Sequence, residues 1–123
     1  MNQEISWQVE LIVKPDSFDE FCSLTEAMID LTALEDGVIA YERFMSEDGS
    51  RVFVYERYVN SKAAISHLQA FQVNFAKAFA SLVHREKFLV FGTPSKELRE
   101  LLRRYDATFT EPISGFSRFQ SHL

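Results

Sequence analysis

Apolar residues alternate along Ile5, Trp7, Val9, Leu11 and Val13, with mostly polar residues between them. A period of two belongs to a strand with one buried face, so the pattern predicts a first strand here. Pro15-Asp16 interrupts it, and Ser17-Phe18-Asp19-Glu20 has the spacing of a capping box. Phe18, Phe21, Cys22, Met28 and Ile29 then recur at helical spacing, which predicts a helix ending near Glu35, ahead of Gly37. Two runs rich in β-branched and aromatic residues follow, residues 38–45 and 51–58. Between them, Ser46-Glu47-Asp48-Gly49-Ser50 carries Asp-Gly, a strong hairpin signal. A two-residue and a four-residue loop both place Tyr41 opposite Glu56.

Asn60-Ser61 predicts the start of a helical region reaching about His84, in which Phe71, Phe75 and Phe79 recur every four residues. Residues 86–91 read as a fourth strand. Thr93-Pro94 predicts a further helix with threonine as cap and proline at the first helical position. Leu98, Leu101, Leu102 and Tyr105 form its stripe, and Arg99, Arg103 and Arg104 crowd its C-terminal half, as the helix dipole favours. From Ala107 the chain reads as irregular or one short strand, with Phe109, Phe116 and Phe119 packing back. The element order strand-helix-strand-strand-helix-strand is that of an α+β, ferredoxin-like sandwich. Residues 1–92 form this domain, and residues 93–123 are expected as a C-terminal helix and tail packed on it. The hairpin strands carry large residues on both faces, Phe53 and Tyr55 on one, Val52, Val54 and Tyr58 on the other. An antiparallel sheet with a wet face alternates more cleanly. A second copy of the chain is the simplest cover, so a homodimer is expected.

With 123 residues, one domain is the natural reading. The net charge of −5 and the absence of a basic run leave no expectation of a nucleic-acid or anionic-membrane partner. Neither a leader segment nor an apolar stretch near ~18 residues is legible, so a cytoplasmic location is expected. Cys22 is the single cysteine, which excludes an intrachain disulfide, and it reads as a small core residue. Four glycines form no nucleotide-binding pattern. His67, His84 and His122 lack ligand spacing, so neither metal nor cofactor is expected. His84 reads as a surface residue at a helix end. Twelve phenylalanines and four tyrosines supply either core or flat walls for a planar ligand.

Among chemistry-bearing residues, His67 stands beside the buried stripe of its helix, three residues after Ala64 and four before Phe71. Its imidazole titrates near neutral pH and is able to accept a phenolic proton; a boundary histidine is the plainer reading. Asn60 serves either as a helix cap or as a polar ligand contact. Glu42, Arg43, Glu56 and Arg57 read as a cross-strand ion-pair ladder at the dimer interface.

The succession Glu35-Asp36-Gly37, the hairpin, Tyr55-Glu56-Arg57, and a helix with Ala63-Ala64-Ile65-Ser66-His67 resembles the antibiotic biosynthesis monooxygenase family over about residues 5–92. The resemblance implies a dimeric α/β barrel with sheets packed back to back and a helical region broken near Ala70–Gln72. It further implies a cavity faced by His67 as base, with Tyr58 and Asn60 orienting the intermediate. Tyr41, Phe44, Phe71, Phe75 and Phe79 would contact the substrate. The implied activity is cofactor-independent monooxygenation of a small aromatic, a quinol, phenol or polyketide-like compound. A ligand-binding or stress-response dimer is the alternative. Haem degradation is a second one, for which the Asn, Trp and His set is incomplete because the only tryptophan is Trp7, in the first strand.

Overall fold

The computed structural model of the chain describes residues 3–118. Its elements are β1 (Ile5–Val13), α1 (Phe18–Thr32), β2 (Val38–Met45), β3 (Val52–Tyr58), α2 (Ser61–Asn74), α3 (Ala76–Leu82), β4 (Val83–Phe91), α4 (Lys96–Arg103) and β5 (Thr108–Phe109). The strands form one sheet in the order β2-β3-β1-β4-β5. The first four are antiparallel neighbours, the ferredoxin-like arrangement expected from the sequence, and β5 adds to β4 in parallel.

Register decides what each face carries. Trp7 stands opposite Glu56 and Val90, and Tyr41 opposite Glu56. One face therefore presents Ile5, Trp7, Leu11, Val54, Tyr58 and Val90, all buried against Phe21, Ala64, Leu68, Leu98 and Leu102 from the helices. Each such side chain contributes about 1.5–3 kcal/mol of transfer free energy. The other face carries Gln8, Glu10, Phe53, Tyr55, Arg57 and Leu89; Phe44 and Phe91 on it are 54% and 37% exposed. The hairpin closes as Asp-Gly predicts. Gly49 takes φ 75°, and Asp48 Oδ1 accepts from the Ser50 hydroxyl and backbone and from Ser46. Those bonds, the Ser50 hydroxyl foremost, hold the Asp48 carboxyl down at about 2.

Several local expectations give way to tertiary context. Ser17 makes no side-chain cap, because its ψ of 4° turns the hydroxyl away from the first free N–H groups. Cys22 is exposed: α1 buries Phe21, Met28 and Thr32, and the neighbouring line through Phe18 and Cys22 faces outward. The helical break falls at Phe75, later than expected. Asn74 Nδ2 donates to the Ala70 carbonyl at 2.8 Å in the last turn before it. β4 begins at Val83 because Val83 and His84 pair with Val13 and Ile12, so His84 is an exposed strand residue. The cap of α4 is Ser95, whose Oγ accepts from Leu98 N–H at 3.2 Å; Pro94 lies outside the helix and is buried. Leu98 and Leu102 are fully buried in the same core as Trp7. Phe116 is exposed, with the Arg118 guanidinium over its ring, whereas Ser117 Oγ accepts from Arg57 Nη2 at 3.1 Å. Phe119 and His122 lie outside the described residues.

Candidate active site

A Cβ at Gly37 would collide with the Cβ of Ala63, so glycine lets the α1–β2 connection rest directly on α2. The Val59 N–H donates to the Gly37 carbonyl at 3.0 Å and pins the approach. Two residues upstream of Gly37 is Glu35, and one turn along α2 from Ala63 is His67. The two thereby meet: the Glu35 carboxylate oxygens lie 3.2 and 3.3 Å from His67 Nδ1. On the opposite ring edge, Nε2 stands 3.3 Å from Glu56 Oε1, which also accepts from the Tyr58 hydroxyl. Tyr41 meets the imidazole edge-on at 5.2 Å between centroids, and the Tyr58 ring lies at 5.4 Å.

A carboxylate at each nitrogen favours the doubly donating imidazolium, whose conjugate base is the neutral ring with its proton on one nitrogen. Burial alone pulls its pKa down, but the bond and charge of Glu56, followed by those of Glu35, prevail and raise it above the ordinary 6.5. Burial likewise opposes the Glu56 carboxylate, yet the bond and charge of His67, then Arg43 and Tyr58, hold its pKa below the usual value. Burial first, and Glu56 second, raise the pKa of Tyr41 and push that of Tyr58 well up, so both remain hydroxyls.

Beneath this network is a cavity of about 50 Å³. Trp7, Phe71, Phe79, Phe88 and Tyr105 wall it, and Tyr41, Arg43, Glu56, His67 and Arg85 bring polar atoms to it. One water needs ~10–15 Å³ of such space, so the cavity has room for a few waters. Arg43 lays its guanidinium over the Tyr41 ring, 3.9 Å from the centroid. Its Nε and Nη1 are buried and have no acceptor among the described residues. The stacking returns about 0.5–2 kcal/mol, whereas each unsatisfied donor costs about 1–3 kcal/mol and more when charged. Arg43 therefore keeps two donors for a water or a ligand in the cavity.

Of the residues singled out from the sequence, the structure brings His67, Tyr41, Phe71 and Phe79 to the cavity. Tyr58 is fully buried behind it, holding Glu56. Asn60 caps α2, its Oδ1 accepting from Ala63 N–H at 2.9 Å. Phe75 sits at the α2–α3 junction, and Phe44 is on the opposite sheet face, where its odd-even position in β2 places it. The expected interface ladder of charges does not form, for the same reason. Strand alternation sends Arg43 and Glu56 to the helix side and Glu42 and Arg57 to the other, where Arg57 pairs with Glu4. Glu35, Arg85 and Tyr105 are not singled out as site residues by the sequence, and Arg43 and Glu56 read there only as ladder members. A charged residue in the apolar register of a strand, as Glu56 is between Val54 and Tyr58, was the available signal. Among the described residues no cluster of His, Cys, Asp and Glu is arranged to hold a metal, since the two carboxylates here occupy opposite edges of one imidazole.

Fold and cavity together define a ferredoxin-like α+β protein with a polar-aromatic site between helices and sheet. The antibiotic biosynthesis monooxygenase family model matches residues 5–85, and the chain belongs to that family. No curated protein matches it. Among solved structures, MupZ from Pseudomonas fluorescens is similar over 96% of this chain and 91% of its own, extension included, with 22% identity and a TM-score of 0.85. Rv0793 from Mycobacterium tuberculosis covers 76% of this chain and 97% of its own, with 24% identity and a TM-score of 0.66. SnoaB from Streptomyces nogalater, a cofactor-independent oxygenase, covers 76% and 96%, with 17% identity and a TM-score of 0.64. At these identities the likeness concerns the fold. No helix among the described residues is long and apolar enough to cross a membrane.

Proposed function

We propose that the chain is a cofactor-independent monooxygenase of a small, single-ring quinol or phenol. The observation that carries this reading is His67, a buried imidazole held at both nitrogens on the wall of an aromatic cavity. A quinol and O₂ give a hydroxyquinone and water: one oxygen atom enters the ring, the other leaves as water, and the substrate supplies all the electrons once deprotonated. Proton removal is the protein's task. A phenol near pKa ~10 gives its proton to a carboxylate held below its usual range only at a cost of about 7 kcal/mol or more. Transfer to an imidazole above 6.5 costs less than about 5 kcal/mol. His67 in its neutral form is thus the better base. Glu35 keeps the proton on Nδ1, Nε2 accepts, and Tyr58 keeps the Glu56 carboxylate satisfied meanwhile. Asn60, engaged as a cap, supports the helix that carries His67. The cavity is smaller than the ~150 Å³ that holds a benzene, so even a single ring enters only as the walls draw apart, and a polycycle or a haem demands far more.

Oxygen-electrode assays of a quinol and phenol panel, with no flavin or metal added, are expected to show uptake matched one-to-one by hydroxyquinone from a quinol and by quinone from a phenol. Thermal stabilisation by the same compounds without oxygen uptake would mark a ligand-binding protein instead.

We further infer that a second copy covers the helix-free sheet face. Phe44, Phe53, Tyr55, Leu89 and Phe91 form an apolar group there that a monomer leaves in water. Static light scattering at micromolar concentration is expected to give twice the chain mass; a monomer mass removes this claim.

A further inference from the structure

We propose that Arg43 is the anchor for a carboxylate on the substrate, so that the ligand class is a small aromatic acid and not a neutral phenol. The inference rests on the reading above only in placing the substrate in this cavity. Arg43 reaches the cavity from β2 with Nε and Nη1 buried and unaccepted, and among the described residues it forms no ion pair. Glu56 is the acid whose charge it feels, but Glu56 Oε1 is already engaged by His67 and Tyr58. The guanidinium carbon stands 3.9 Å from the Tyr41 ring centroid, which holds the group over that ring. A ligand ring seated beside Tyr41 then presents an in-plane carboxylate to those free donors, the charge-assisted pairing that a guanidinium makes best.

A second observation points to the same charge. Outside the cavity runs a wider groove that shares Phe71, Phe79, Arg85 and Tyr105 with it. The groove is also lined by Lys77, His84 and Arg104, and its lining contains no Asp or Glu; Glu86 pairs with His84 at 3.8 Å from outside that lining. In a chain of net charge −5, a basic mouth leading to a half-buried arginine with two unaccepted donors is a path built for an anion. Arg85, common to groove and cavity, is placed to pass the anion inward.

Calorimetric titration of the full chain with 2-hydroxybenzoate and 2-hydroxybenzamide tests this directly, because the two ligands differ in charge and little in shape. The carboxylate is expected to bind at least tenfold tighter. Arg43→Gln is expected to bring the two affinities within about twofold by weakening only the carboxylate, while Arg43→Lys retains part of the preference. Arg85→Gln, at an exposed position, provides a second variant and is expected to reduce the preference severalfold. Phenyl phosphate serves as the arm for a phosphate source: binding tighter than 2-hydroxybenzoate would overturn the carboxylate assignment. Equal affinities in the unmodified protein, binding of neither ligand, or an undiminished preference in folded Arg43→Gln would each overturn it as well. Oxygen uptake is read separately. Selective binding without turnover leaves this inference standing and removes the monooxygenase reading; turnover of neutral quinols with no carboxylate preference does the reverse.

Discussion

His67→Ala is expected to lower kcat/KM for quinol oxidation by roughly 10²–10⁴-fold, the usual worth of a positioned general base. The same change removes the cation between Glu35 and Glu56. Breaking a buried pair by deleting one member costs about 3–5 kcal/mol, so the melting temperature is expected to fall by roughly 10–20 °C. Both effects depend on pH in a defined sense. The folded-state pKa of His67 is raised above the unfolded 6.5, so its contribution to stability is complete below about 6.5 and is lost as pH rises through the raised value. The stability gap between the wild type and His67→Ala should therefore narrow on going from pH 6 to pH 9. Activity runs the other way, because the neutral imidazole is the base: kcat/KM should rise with pH, with its inflection above 6.5. Glu56→Gln removes the largest influence holding the proton on His67, so it should move that inflection downward. Urea denaturation and oxygen-uptake rates over the same pH series measure both. A rate that falls with rising pH would make His67 a proton donor, and an unchanged rate in His67→Ala would remove it from the reaction.

Truncation after Gly92 is expected to abolish the folded state. It deletes Leu98 and Leu102, both with no exposed surface, along with the parallel pairing of Thr108 and Phe109 to β4. Burying a leucine and then leaving its space empty is worth about 2–5 kcal/mol, so two of them amount to much of the roughly 5–15 kcal/mol that stabilises a small domain. We therefore propose that residues 93–123 belong to the same folding unit as residues 1–92. The milder Leu98→Ala/Leu102→Ala double variant should lower the urea midpoint sharply without changing the chain length. A soluble truncated protein with an unchanged midpoint would show that the helix is an appendage. The extension also supplies Tyr105, which bonds Gln72 at 3.2 Å and faces both cavity and groove, so the truncation bears on the site as well.

What the sequence determined by itself is what depends on local periodicity and local backbone chemistry. Alternation in β1, the Asp-Gly turn and the leucine stripe of α4 each need only neighbours along the chain to be read. The family resemblance rode on the same local features, Glu35 to Gly37 and Ala63 to His67, and it pointed to His67 as the cavity residue. Only the tertiary structure decided the chemistry around that residue. Whether Glu56 faces helix or solvent turns on strand register, and a shift of one residue reverses it. Glu35 looked like punctuation before a glycine until Gly37 settled against Ala63 and carried it to Nδ1. Phe44 and Arg43, adjacent in sequence, went to opposite faces, so the phenylalanine left the cavity and the arginine entered it. Helix ends moved for a related reason, since Asn74, Ser95 and Val83 each answered to a specific hydrogen-bond or pairing partner and not to propensity. Burial and charge pairing act between residues far apart in the chain, and the protonation state of His67 exists only once Glu35 and Glu56 have been folded onto its two edges.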